Sequence, residues 1–520
     1  MKLRVGLVIP SLWWEQILAQ EGIPFGYADL NRLDEEWSVL VVSRRLEETE
    51  QRQIEEYLAV GGAVLGFAGY LENVCKTRTR TEPLEYIISE GKSPFADVHL
   101  LDLGLEGAVP HEANCLRTQQ NTFAAFVGPM GGGYAVLLPF DPSEMMSDER
   151  AANKSFYFVR DRLPSERVSL VSKGEVQRVV HRSLEYLHHV RGLPYVHLWY
   201  FPEERPTIFA FRIDSDRGSR EEVDALYRLA RKHDIPMTWF LDVKSHEAWL
   251  HHFAYLSGQE FGVHCYDHTV FNTYEANLAN IQKARQKLHR VGISSPGFAA
   301  PFGLWNPELA RAIVQAGFEY SSEFSYAYDA FPLYPRAGTE GFTTIQIPIH
   351  PVCIGSMKRV GYTETHMADY FKRIMDEKLQ RHEGWLFYHH PTHRSWDVVE
   401  FIFSYVRQKG IDCIPMSEYA RWWKKRLKVM PGFDLEKNTL RMNIAHPEPS
   451  VWVRIVRPDM RAVLVPPFDV VDLEAMNWLP PQTVALPPSD IHRIREFDPR
   501  KLVGDLFTSL SRKFSDNRTG

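Results

Sequence analysis

Hydrophobic and polar positions divide the chain into three rhythms. In the first, residues 1–193, short apolar runs alternate with amphipathic stretches. Residues 38–43 form a continuous apolar run, which predicts a buried strand. Residues 46–60 carry apolar side chains at helical spacing and end at Gly61-Gly62, which predicts a helix with a glycine stop. Residues 63–68 predict the next buried strand. This β-α-β rhythm with glycine-rich ends predicts an open parallel sheet. Gly128, Gly131, Gly132 and Gly133 precede the apolar run 134–139. Their spacing matches neither a Walker loop nor a dinucleotide fingerprint, so a plain hairpin or loop is expected. A helix is predicted over 173–189, and the proline-bounded stretch 202–206 reads as a junction.

From 207 to 428 the alternation becomes regular. Strands are predicted at 208–213, 237–241, 261–264, 297–300, 344–348, 385–389 and 412–414. Helices are predicted between them at 220–233, 274–291, 307–316, 366–381, 396–409 and 417–428. In the first, Val223, Leu226, Tyr227 and Ala230 recur on one buried face. Repeated β-α units predict an α/β barrel or near-barrel with its chemistry at the strand C-termini. After 428 the helical rhythm fades and prolines increase. A two-strand unit is predicted at 451–456 and 461–465, and the proline pairs 480–481 and 487–488 predict an extended segment. Residues 509–520 are expected to be mobile. The expected division is therefore 1–195, an open parallel-sheet domain; 196–428, a barrel; and 429–520, a small β-rich extension.

Composition narrows the function classes. Hydrophobic residues make up 44% and charged residues 24%, as in ordinary globular proteins. A net charge of -6 without a basic segment argues against nucleic acid as a partner. The five cysteines (Cys75, Cys115, Cys265, Cys353, Cys413) are scattered and lack CxxC spacing, so a reducing compartment is expected. The apolar run in residues 1–10 is too short to span a membrane. It is followed by Trp13, Trp14, Glu15 and Gln16 rather than by a cleavage site, so it reads as a first buried strand. A cytoplasmic protein is expected, and the sequence sets no oligomeric state.

Two stretches carry the candidate chemistry. The first is Ile213-Asp214-Ser215-Asp216, and the second is His264-Cys-Tyr-Asp-His268. Histidines four apart share a face if the segment is helical, and imidazole is the commonest protein metal ligand. Two carboxylates on one strand end repel unless a cation is present. Asp214 and Asp216 could serve as helix caps, but Gly218-Ser219 is better placed for that. His393 and the pair His251-His252 read as surface or loop histidines.

In order along the chain, Asp214-Ser-Asp216, His264-x-x-x-His268, Phe298-Ala-Ala-Pro301-Phe-Gly303 and Gly384-Trp-Leu-Phe-Tyr-His-His390-Pro resemble the four motifs of the polysaccharide deacetylase (NodB-homology) family. The resemblance implies a distorted (β/α) barrel and a metal-dependent hydrolase that removes an N-acetyl or O-acetyl group from a carbohydrate. It implies one divalent ion, with zinc expected, on Asp216, His264 and His268. Asp214 would be the general base and His390, rather than His389, the general acid. Ser215 separates two aspartates that are adjacent in the family, so their roles can be exchanged. The backbone N–H of Phe302 would help hold the oxyanion. The family's base-orienting arginine falls at Ala299, and Arg212 and Arg336 are the candidate replacements. Arg212 also reads as an outward-facing strand residue between Phe211 and Ile213. Trp305, Tyr326, Tyr328 and Asp329 are candidates for a sugar platform. Other readings are hydrolysis of a non-sugar amide and a catalytically silent module that binds glycan or partners. Residues 61–70 resemble the strand-to-nucleophile turn of class I glutamine amidotransferase-like domains, but the cysteine position is Ala68. Cys75 reads as an inert thiol.

Overall fold

A computed structural model of the protein describes residues 1–33, 36–92, 94–156, 164–481 and 503. The proline pair at 487–488 and the segment 509–520 lie outside the described residues. Among the described residues, the first region is built on a nine-stranded sheet. Five strands run parallel: Phe25–Tyr27, Val5–Leu7, Val39–Val42, Ala63–Phe67 and Gly133–Leu138. The other four, Phe123–Met130, Cys115–Thr118, Thr79–Ile88 and Leu101–Pro110, extend the sheet antiparallel. The expected parallel sheet is thus half of a mixed one. Pro83, Gly104 and Gly107 interrupt the two longest antiparallel strands, so their pattern carries no clean alternation.

The glycine cluster forms the hairpin between Phe123–Met130 and Gly133–Leu138, as expected. Gly131 and Gly132 both take positive φ (60° and 99°), which glycine adopts without strain. The helix Glu48–Ala59 also follows expectation. At 61–70 the chain passes from Phe67, in relaxed extended geometry (φ -69°, ψ 129°), straight into the helix Ala68–Cys75. Ala68 is buried, and burial pushes the Cys75 thiol up to about 12. An ordinary strand-to-helix junction occupies this position, and nothing in its geometry supports an amidotransferase likeness.

The second sheet is parallel throughout. Its seven strands run in the order Ile345–Gln346, Tyr320–Ser321, Gly297–Phe298, Glu260–Cys265, Thr238–Asp242, Phe209–Asp214 and Trp385–His389. The two edge strands do not pair, so the sheet curls into an open half-barrel. A backbone bond from His350 N–H to the Leu386 carbonyl (2.8 Å) bridges the seam. The expected strand at 412–414 is reduced to a single bridge between Cys413 and Phe209. The two-residue strand Tyr320–Ser321 is too short to show a period.

The helices on the outside match the predicted ones closely, because their caps are explicit. Ser219 caps Arg220–His233 in a reciprocal pair with Glu222, and Thr273 and Asn306 cap the next two. Phe211, Ile213, Trp239 and Val263 point outward into the helix layer. Phe240, Ala299, Tyr320 and Tyr388 belong to a second core on the opposite, inner side.

The C-terminal strands tie the regions together. Val453–Val456 pairs antiparallel with Ala462–Val465, as predicted, and also with Tyr195–Leu198. The Leu3 N–H bonds to the Phe433 carbonyl. Partly buried ion pairs link Arg178 to Glu383 (2.6 Å) and Arg381 to Glu175 (2.5 Å). Arg426, fully buried, donates to the carbonyls of Leu198, Trp199, Ala19 and Glu21. No helix among the described residues is long and apolar enough to cross a membrane.

Candidate metal centre

At the C-terminal ends of the half-barrel strands lies a cavity of ≈220 Å³ lined by Asp214, Asp216, His264, His268, Phe302, Cys353, Tyr388, His390 and His393, among others. Asp214 is the last residue of its strand. The next turn is anchored twice: Ser215 N–H bonds to the Phe240 carbonyl, and Ser215 Oγ accepts from the Asp242 N–H. Arg217 then takes a left-handed φ of 52°. Gly218 packs where a Cβ would lie 2.9 Å from Pro391 Cβ. The aspartate turn and the His390-Pro391 turn therefore abut.

Asp214 is clamped. Arg212 Nε and Nη2 donate to its two carboxylate oxygens at 2.6 and 2.7 Å, and Nη1 donates to the Ser322 carbonyl at 2.8 Å. This bidentate fork is the strongest side-chain pairing available to a carboxylate. Arg212 has no exposure, which corrects its reading as an outward residue. The alternation with Phe211 and Ile213 is real, but in a curled sheet the opposite face is the barrel interior rather than solvent. Burial opposes the charge, yet Asp214 holds the guanidinium above its ordinary range. The guanidinium that grips Asp214 is thus supplied from the carboxylate's own strand.

Asp216, His264 and His268 meet in a tight triangle. Asp216 Oδ1 lies 3.1 Å from His264 Nε2 and 3.2 Å from His268 Nε2, and the two nitrogens are 3.2 Å apart. His264 Nδ1 sits 2.7 Å from the Ala299 carbonyl, which can only accept, so Nδ1 carries the proton. In the neutral ring, Nε2 then directs its lone pair at a carboxylate oxygen. Two lone pairs in that position repel, and a cation between them removes the conflict. Donors about 2.0–2.1 Å from a tetrahedral ion stand about 3.3 Å from one another, close to the observed edges. The donor set therefore fits a divalent ion. With the rings protonated instead, imidazolium takes the place of the cation: against the cost of burial His264, with help from His268 and His390, then holds the Asp216 carboxyl well below the usual range.

The histidines share the site without a helical turn, in keeping with the strand predicted at 261–264. His264 lies on the strand Glu260–Cys265 and His268 in the loop after it. Asn280, on the helix Tyr274–Arg290, folds that loop back. Its Oδ1 accepts from the N–H groups of Tyr266 and Asp267, and its Nδ2 donates to the Asp267 carbonyl. Asn280 was not among the expected site residues; an amide on the facing helix turn was the available sign. Phe302 stands at the cavity lip with positive φ (56°), its ring edge-on to His268 at 4.8 Å.

Of the two late histidines, His390 faces the cavity, with Nε2 3.5 Å from Asp216 Oδ2. His389 is fully buried on the helix side near Phe211, and burial holds it well below the ordinary range. His393, expected at the surface or in a loop, lies in the turn after the strand and lines the cavity with its ring 4.5 Å from that of His390. Cys353 joins them from the other edge of the seam. Burial works against it, but His390 holds the Cys353 thiol below its ordinary range.

Other expected site residues lie elsewhere. Arg336 has its guanidinium 5.9 Å from the Trp13 ring and does not line the cavity. Trp305 packs against Tyr326 at 4.5 Å. The Tyr328 hydroxyl accepts from Lys154, and Asp329 is held by His350 and Lys378. These loops fold inward against the rest of the chain, so the expected sugar platform is interior packing.

Residues 213–321 match the polysaccharide deacetylase family model. The matched segment holds Asp214, Asp216, His264 and His268 and ends before Cys353 and His390. Among solved structures, a putative polysaccharide deacetylase from Mycobacterium smegmatis is 14% identical, with a TM-score of 0.37, covering 43% of this chain and 92% of that one. A CE4 family pseudoenzyme from Bacillus anthracis is 17% identical, with a TM-score of 0.32, covering 42% and 68%. An allantoinase structure is 15% identical, with a TM-score of 0.37, covering 43% and 92%. No curated protein matches the chain.

Proposed function

We propose that the protein is a metal-dependent hydrolase that removes an N-acetyl or O-acetyl group from a carbohydrate. The observation that carries this reading is the Asp216–His264–His268 triangle beside a carboxylate clamped by Arg212. A divalent ion held there, zinc being the expected one, supplies a Lewis acid and lowers the pKa of water that it binds. Asp214 takes a proton from the attacking water, and Arg212 fixes the carboxylate's orientation. His390 donates a proton to the departing amine or alcohol. The Phe302 N–H contributes to holding the oxyanion. His264 keeps its Nδ1 proton on the Ala299 carbonyl, which leaves Nε2 free to ligate.

In this reading residues 196–428 are the catalytic part, 1–195 is a non-catalytic α/β domain, and 429–520 is an extension. The five cysteines are unpaired, in keeping with a cytoplasmic protein; recovery from the envelope or medium on fractionation would count against that placement.

The test is acetate release from N- and O-acetylated oligosaccharides by stripped and metal-reloaded protein. Turnover that depends on metal and is lost with Asp216→Ala and His264→Ala is expected. A second reading rests on the cavity: ≈220 Å³ is below the usual range for ligand sites, and Arg217 and Arg359 line it. The small volume suits a compact non-sugar amide; the lining sets no net charge preference, since Glu166, Asp214, Asp216 and Asp242 share it with the two arginines and Arg359 pairs with Glu166. Stoichiometric metal with no release from any glycan would favour it, and absence of metal binding would leave a non-catalytic binding module.

A further inference from the structure

The cavity holds a second group of ligating atoms that the hydrolytic reading does not use as a set. Cys353, His390 and His393 each present one ligand atom, and these atoms all lie within 4.8 Å of one another. They come from the two unpaired edges of the half-barrel. Cys353 immediately precedes the short helix Ile354–Arg359, and the two histidines flank the turn after Trp385–His389. The backbone bond between His350 and Leu386 holds these edges together.

Three features make this a built group. Cys353 is buried, whereas His390 and His393 are partly exposed to the cavity, so the thiol lies at the back and the entrance is lined by imidazole. Gly355 allows the close packing: a Cβ there would fall 2.1–2.4 Å from three atoms of the His393 ring. The Lys358 ammonium donates to the His393 carbonyl at 2.7 Å and fixes the turn. His390 turns Nε2 towards Asp216, while its Nδ1 is buried. One thiolate and two imidazoles form a soft-to-borderline donor set, suited to zinc, cobalt or cadmium rather than magnesium or calcium.

We propose that Cys353, His390 and His393 form a second, thiolate-bearing site for a soft divalent cation. It is separate from the Asp216–His264–His268 centre and coupled to it through His390. Occupancy engages the histidine assigned as the general acid, so the second ion inhibits. That regulatory half rests on the hydrolase reading; the binding half does not.

The test is a Co²⁺ titration of stripped full-length protein followed in the near ultraviolet. The Asp216 triangle has only nitrogen and oxygen donors, so a sulfur-to-cobalt charge-transfer band that depends on Cys353, rather than on one of the other four free cysteines, reports the second site. A band is expected in the wild type and in His264→Ala, and its loss in Cys353→Ser. Gly355→Ala and His393→Ala should weaken binding at the second site at least roughly tenfold. These two variants also decide the matter if Cys353→Ser fails to fold. No band in the wild type at saturating cobalt, or a band that survives Cys353→Ser, would overturn the proposal. Failure of the first centre would instead leave the band with one equivalent of metal. If acetate release is observed, zinc beyond the first equivalent should suppress it, with Cys353→Ser needing roughly tenfold more. Equal inhibition in both proteins would overturn the regulatory half.

Discussion

A guanidinium without exposure, two residues from the carboxylate it grips, acts as a fixed charge. Arg212→Met should therefore do two separable things. It should leave metal content unchanged while lowering kcat about 10²-fold, as expected when a group that orients the reacting machinery is lost. It should also destabilise the fold by about 3 kcal/mol, because a buried carboxylate loses its partner. Metal analysis, acetate release and urea denaturation measure the three quantities, and loss of metal would show that Arg212 supports the ligands instead. At this scale the sequence was informative where spacing was local. Asp214, Asp216, His264 and His268 sit in two compact motifs, and the structure brings them together. Arg212 stood in view but was ambiguous, since strand alternation does not say whether the second face is solvent or barrel interior. Cys353 and His393 are some forty residues apart in sequence, and no local pattern relates them.

Elements position these residues through a few polar contacts and some backbone strain. Asn280 pins the loop that carries His268. Asn280→Ala should cost about 1–2 kcal/mol of stability and about tenfold in metal affinity, with helix content unchanged. Isothermal titration and circular dichroism test this; unaltered affinity would mean that the loop holds itself. On the opposite rim, Arg394 has φ 53° and ψ -128°, a conformation that side chains rarely adopt. Its partner Glu222 forms only an exposed pair with it, so little is lost with the guanidinium. Arg394→Gly should raise stability by about 1 kcal/mol in chemical denaturation, and a decrease would mean that the pair outweighs the strain. The helices were legible because their caps and periods are local. The two-residue strands and the antiparallel half of the first sheet were not, because pairing partners far along the chain define them.

For the molecule as a whole, buried neutral histidines set the response to pH. Burial holds His188 down to about 4 and His197 well below its ordinary range. Their unfolded counterparts titrate near 6.5, so the unfolded chain takes up protons first as the pH falls. The histidine contribution to stability should be level above about pH 7 and decline from about 6.5 towards 4, by on the order of 1 kcal/mol per pH unit per histidine. A further fall is expected below about 4.3. There Glu185 and Glu383 come into play: despite burial, Arg182 and Arg381 respectively hold each at about 2, and protonation abolishes those pairs. Thermal midpoints across pH would show this, and a flat profile between 7 and 5 would exclude the histidine contribution.

The fully buried Arg426 bears on whether the half-barrel can be transplanted. Its guanidinium belongs to the last helix of that unit, but its acceptors include carbonyls of Ala19 and Glu21, near the start of the chain. The strand Tyr195–Leu198 likewise depends on Val453–Val456 for its ladder. A fragment limited to 196–428 would keep the cation and lose half of the oxygens that solvate it, together with a sheet partner. Such a fragment should be insoluble or unfolded, whereas residues 1–481 should refold, which dilution from urea would show. The aspartate–histidine cradle and its neighbours would then fold as one cooperative block rather than as separable modules.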